Sequence, residues 1–285
     1  MSLSWVDLSI SGCVKPFSLS LGKRDFLFLA GETQMAKLLR SLAGFLPDES
    51  NYQDSIRIDG QPLKKNEKLD SVFLPKNFAQ SFPPHRTIGQ FALDISPNRN
   101  QKSLESYAEM HGIEKSILCS KPSKIPLPLL QKISLWCTSL FASSAVFIEE
   151  PDGGFCDECR PFDFLQEMLV NSTTSCVIYC PSGKEAILQK AHVMQFCKTR
   201  IAVFCADRLV EEGEAARVLK NPIHDYTKDW IDNGSYEPRK NGALWSYCRQ
   251  YCREQNSCPV RQSISSVMWD YSNDDSHKVI CKGFL

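Results

Sequence analysis

FLFLAGETQMAKLLRSLAGF, residues 26–45, is the stretch that decides the fold. Phe26–Ala30 is a short continuous apolar run, the pattern of a buried strand. Leu38, Leu39, Leu42 and Phe45 then recur on one helical face, and Pro47 closes the helix. Between strand and helix, residues 31–38 keep the spacing of the phosphate-binding loop G-x-x-x-x-G-K-[ST]. In that loop glycines let backbone N–H groups curl around phosphates, the lysine reaches the β and γ phosphates, and the hydroxyl ligates magnesium. Gly31 and Lys37 hold their places, with Glu32, Thr33, Gln34 and Met35 between them and Ala36. Ala36 stands where the second glycine belongs, and its Cβ resists the backbone geometry glycine permits. Leu38 stands where the hydroxyl belongs and cannot ligate Mg²⁺.

Working outward, Ile56–Ile58 reads as a strand closed by a turn at Asp59–Pro62, and residues 86–130 as a mixed, helical region broken by Pro122, Pro126 and Pro128. Ala145–Ile148 is a second buried strand, running into Glu149, Glu150 and Pro151. A helix over Phe162–Val170, a strand over Cys176–Tyr179 and a hairpin over Ile201–Val210 come next. Strands alternating with helices predict an α/β core. From about residue 231 the composition turns polar and cysteine-rich, which places a boundary between residues 1–230 and a C-terminal extension, 231–285.

The chain has 285 residues, with 33 Lys plus Arg against 33 Asp plus Glu, so no net field calls for nucleic acid or an anionic membrane. At 42% hydrophobic and 23% charged it has the composition of a well-cored soluble domain with an appendage. The N-terminus MSLSWVDLSIS has no basic start followed by an apolar core, and the longest apolar-leaning run, Leu135–Ile148, is too short to span a bilayer. A soluble, cytoplasmic protein is expected. Its 13 cysteines are read as reduced thiols, because disulfide scaffolds belong to short secreted chains.

Four segments in the same order resemble one family, the ATP-binding subunits of oligopeptide and dipeptide (peptide/nickel) ABC transporters. They are the loop at Gly31 with LLRSLAGFLP behind it, SFPPHRTIGQ at residues 81–90, VFIEEP at 146–151, and RIAVFCADRLVEEGEAARVLKNPIHDYTKDWI at 200–231. The resemblance implies a P-loop NTPase fold of the ABC type, with a helical subdomain over residues 86–130. It also implies ATP and Mg²⁺ as cofactors, a paralogous ATPase subunit, membrane permease subunits and, indirectly, an extracytoplasmic peptide-binding protein. The expected location is peripheral, on the inner face of the cell membrane.

Carried onto this sequence, the resemblance puts Glu149 where the family has its magnesium-holding aspartate and makes Glu150 the candidate base that polarises the attacking water. Glutamate is one methylene longer than aspartate, and two acids facing solvent at a strand end is the alternative. The signature motif Leu-Ser-Gly-Gly falls on Ile125, Pro126, Leu127 and Pro128, and Gln131 and Lys132 match the family's next positions. Its serine and glycine N–H groups would grip the γ-phosphate bound by the opposite subunit, but two prolines remove two donors and the hydroxyl is gone. The switch histidine maps onto Cys180 and the Q-loop glutamine onto Leu74. The expectation is therefore a degenerate subunit that pairs with a competent one and hydrolyses little ATP itself. A slow but genuine ATPase and a soluble regulatory protein that has left transport are the alternatives.

Two cysteine sets invite metal. The tail holds Cys248, Cys252, Cys258 and Cys281, which the resemblance implies as [4Fe–4S] ligands; zinc or unligated thiols remain open, since spacing does not separate them. Cys156, Cys159, Cys176 and Cys180 approach the spacing of a zinc ribbon, against which stands the placing of Cys176 in a buried strand.

Overall fold

The computed structural model describes residues 2–32, 34–45, 55–64, 67–96, 100–141, 143–151, 154–156, 161–171, 176–181, 187, 198–205, 208–233, 269–270 and 277–279. Among them, two sheets enclose one helix and a group of helices covers the outer face of the larger sheet. The small sheet has the order β2-β1-β4-β5, from Leu3–Ile10 (β1), Val14–Leu21 (β2), Ile56–Ile58 (β4) and Gln61–Pro62 (β5). The large sheet is built from Asp25–Glu32 (β3), Ser71–Leu74 (β6), Ala145–Glu149 (β7), Cys176–Cys180 (β8), Lys198–Cys205 (β9), Arg208–Glu214 (β10), Trp269–Asp270 (β11) and His277–Val279 (β12). Its order is β11-β12-β10-β9-β3-β8-β7-β6. The strands from β9 to β6 run parallel, and β10, β12 and β11 add antiparallel at one edge.

Helix α1, Met35–Leu42, lies between the sheets. Its stripe Leu38, Leu39 and Leu42 is fully buried against Leu27, Leu29, Phe147 and Phe204 of the large sheet and Trp5, Leu8 and Phe17 of the small one. Phe45 departs from the expected stripe. It lies beyond the helix, 58% exposed, with its ring 5.7 Å from that of Phe73.

The opposite face of the large sheet packs on the helical region, as the proline-broken pattern predicts. That region comprises α2 (Ile88–Ile95), α3 (Gln101–Met110), α4 (Lys115–Leu118) and α5 (Leu127–Leu140). Helix α2 starts at a capping box: Thr87 Oγ1 accepts from Gln90 N at 3.3 Å and Gln90 Oε1 accepts from Thr87 N at 3.0 Å. Helices α6 (Pro161–Asn171), α7 (Ala215–Lys220) and α8 (Asp225–Asn233) complete this layer. Strand alternation divides the two cores: along β7, Ala145 and Phe147 face α1 while Val146 and Ile148 face the helical layer. Among the described residues no helix is long and apolar enough to cross a membrane.

Candidate functional site

The carboxyl ends of parallel strands are where α/β sheets place ligands. Here that edge gathers Leu74 of β6, Glu149 of β7, Cys180 of β8, Gly31 and Glu32 of β3, and Cys205 of β9. Glu149 and Cys180 pair directly in the ladder, as do Gly31 with Phe204 and Glu32 with Cys205. The structure thus brings together the loop, the paired acids and the switch position that the sequence marks. It also commits the loop and the acids to other partners.

Gly31 and Glu32 are strand residues, still in the β9 ladder, and Met35–Leu38 already belong to α1. Only positions 33 and 34 separate strand from helix, and Thr33 lies outside the described residues. A loop that must curl around phosphates has no length left. Gly31 is a glycine for another reason: at φ +98° its backbone approaches β9 so closely that a Cβ would sit 1.9 Å from the Phe204 carbonyl oxygen. Leu38, at the hydroxyl position, is fully buried in the core between the sheets. Met35 packs on that core, and Ala36 is exposed.

Lys37 is a surface lysine that reaches the turn between β1 and β2 rather than a phosphate. Its Nζ donates to Ser11 O at 2.7 Å, and beside it Gln34 Nε2 donates to Gly12 O at 2.9 Å. Cys13 Sγ donates to Gln34 O at 3.7 Å, so the short connection is tied down at three points. The partner of Lys37 depends on β1 and β2, two strands absent from the sequence-based expectation. Their signal is the burial alternation of Leu3, Trp5, Leu8 and Ile10, broken at Asp7 where φ is +51°.

The paired acids are not at a solvent-facing strand end: Glu149 is 6% exposed and Glu150 4%. They divide between the faces of the sheet. Glu149 turns to the α1 side, where its Oε2 accepts from Lys76 N at 3.0 Å and lies 3.7 Å from the Arg40 guanidinium. Its Oε1 is buried without a hydrogen-bond partner. Glu150 turns to the helical side, where its Oε1 accepts from the hydroxyl of fully buried Tyr179. A carboxylate engaged that way is not poised on a water molecule.

Magnesium, implied by the resemblance, does not fit these residues. A hard cation needs a set of oxygen donors. Leu38 gives none, Glu150 points to the other face, and a fixed cation already stands beside Glu149.

The signature positions start α5. Ile125 is buried, Pro126 is the N-cap, Leu127 is 55% exposed and Pro128 comes directly after it. Leu130 N donates to Pro126 O at 2.9 Å, so Leu127 and Leu129 are left to offer backbone donors, and the presented side chain is apolar. Gln131 Oε1 accepts from Cys156 N at 3.1 Å, joining this helix start to the segment after Glu150.

Of the second cysteine set, Cys176 is a reduced, fully buried thiol that burial, with help from the Asp25 charge, pushes up to about 12, far from a metal-binding thiolate. Cys156 is disulfide-bonded, which corrects the expectation of a reduced thiol there, and the side chain of Cys180 and the whole of Cys159 lie outside the described residues. So do Cys248, Cys252, Cys258 and Cys281. Among the described residues no group of His, Cys, Asp and Glu could hold a metal ion.

This architecture is that of an ABC-type nucleotide-binding domain. A solved ATP-binding subunit of an ABC transporter superposes with a TM-score of 0.60 over 77% of this chain and 92% of its own, at 13% sequence identity. In sequence the chain is similar to ATP-binding subunits of transport systems. It is 22% identical over 245 residues to the metal-staphylopine import system ATP-binding protein CntD of Staphylococcus aureus (strain NCTC 8325 / PS 47), covering 79% of this chain and 87% of CntD. It is 23% identical over 242 residues to the peptide transport system ATP-binding protein SapF of Salmonella typhimurium, covering 80% and 86%. No family model matches the chain.

Proposed function

We propose that the chain is an ATP-binding-cassette subunit of a peptide-type ABC importer that has lost its own hydrolysis. It sits on the cytoplasmic side of a membrane permease and pairs with a competent ATPase paralogue. The observation that carries this reading is the use of residues 31–38: strand and helix consume six of the eight positions of the phosphate loop. The other machinery is diverted in the same direction, with Lys37 on Ser11, Glu150 on Tyr179, and prolines at the start of α5. The sheet and the helical layer remain intact, so the chain keeps the body of a cassette, and that body supplies subunit contacts and transmits the partner's closure. The peptide substrate class rests on the likeness to SapF and on the four sequence segments.

Affinity purification of the tagged full-length chain from membranes tests this. Recovery of a permease and of a second ATP-binding chain with an intact phosphate loop is the expected result. Recovery of the chain alone, in the soluble fraction, overturns the subunit reading.

A further inference from the structure

We infer that Arg40 is the built-in cation of this site: its guanidinium neutralises Glu149 where the fold would otherwise hold a divalent metal, and the site takes nucleoside phosphates only in their metal-free form. The inference rests on the reading of the chain as a nucleotide-binding domain without magnesium chemistry. Glu149 is the starting point. It ends β7 on the face turned to α1, it is nine-tenths buried, and one of its oxygens has no hydrogen-bond partner. A buried carboxylate in that state demands a compensating positive charge.

The charge comes from α1 itself. Arg40, two positions beyond the lost hydroxyl at Leu38, places its guanidinium 3.7 Å from Glu149 Oε2. A second contact holds it there: the guanidinium lies 5.8 Å from the centre of the Phe73 ring, whose own neighbour is Phe45 at 5.7 Å. Arginine stays charged at every accessible pH and, unlike a bound ion, is neither exchanged nor chelated. A divalent cation brought to Glu149 meets both the repulsion of Arg40 and a leucine in place of its second ligand. What the site loses in metal affinity it keeps as a fixed positive charge at the strand edge.

The test uses the full-length chain and two readouts. In calorimetry with ADP, the affinity in EDTA is expected within about twofold of that in millimolar MgCl₂. In thermal unfolding, millimolar MnCl₂ leaves the wild type unmoved. Arg40→Met lowers the melting temperature and Mn²⁺ recovers part of the loss, whereas Arg40→Met/Glu149→Gln melts above Arg40→Met and ignores Mn²⁺. If Arg40→Met fails to fold, Arg40→Lys stands in, keeping the charge and the wild-type indifference to Mn²⁺. A tightening of ADP by about tenfold or more on adding MgCl₂, or an Arg40→Met protein that melts as wild type without responding to Mn²⁺, overturns the inference. Absence of ADP binding in both buffers overturns it too, while the subunit reading stands or falls separately on co-purification.

Discussion

Replacing Gly31 with alanine is expected to destabilise the fold by about 3 to 5 kcal/mol, read as the shift in the urea unfolding midpoint. Two costs combine at this position. The backbone is at φ +98°, a conformation an L side chain resists, and the new Cβ would lie 1.9 Å from the Phe204 carbonyl oxygen, a backbone atom that cannot step aside without opening the β3–β9 ladder. Gly60 separates the two costs. It has φ +78° with nothing within 4 Å of the Cβ that an alanine would add, so Gly60→Ala bears the backbone cost alone, about 1 to 2 kcal/mol. Equal losses in the two variants would show that the close approach to β9 contributes nothing. The retained glycine of the phosphate motif is then a sheet residue first.

Glu211→Ala is the second large loss, about 3 to 5 kcal/mol, because it strips three partners at once from a fully buried carboxylate. Glu211 on β10 accepts from Ile223 N at 2.9 Å and His224 N at 3.1 Å, fixing the turn between α7 and α8, and it bonds His277 Nε2 at 2.7 Å. His277 opens β12, which pairs antiparallel with β10 through Gly213↔His277, Glu212↔Lys278 and Glu211↔Val279. One acid therefore ties together the segment 221–224 and the strand that brings residues 277–279 to the sheet. His277→Ala, removing a single partner, is expected to cost about 1 to 3 kcal/mol. Limited proteolysis should cut ahead of β12 faster in both variants, and faster in Glu211→Ala. A Glu211→Ala protein as stable as wild type, with β12 no more accessible to protease, would refute this account of the clamp.

The large sheet was legible because its parallel strands are continuous apolar runs, Phe26–Ala30, Ala145–Ile148 and Cys176–Tyr179, and a strand buried on both faces has to be written that way. The α1 stripe was legible through Leu38, Leu39 and Leu42, but Phe45 was not separable from it, since the helix ends at Leu42 and spacing alone carries on. The small sheet was harder: the β1 alternation is interrupted at Asp7, where the register against β2 shifts, and its partner strand β4 lies far along the chain, at Ile56–Ile58. At the site, the positions that sequence marked do converge on one edge. Their partners were out of reach, because Arg40 meets Glu149 and Lys37 meets Ser11 only through the stacking of α1 between two sheets. Spacing likewise cannot tell a motif stretched as a loop from one absorbed into strand and helix, which is the difference that decides the chemistry of residues 31–38.

The central claim is that hydrolysis, where this chain takes part in it, is carried out by the partner. The most direct measurement is the ATP turnover of the purified assembly with Lys37→Ala and Glu150→Gln introduced together in this chain. The expected turnover equals that of the unsubstituted assembly, since neither side chain faces a nucleotide phosphate. Loss of turnover in that variant, with the assembly still intact, would contradict the claim.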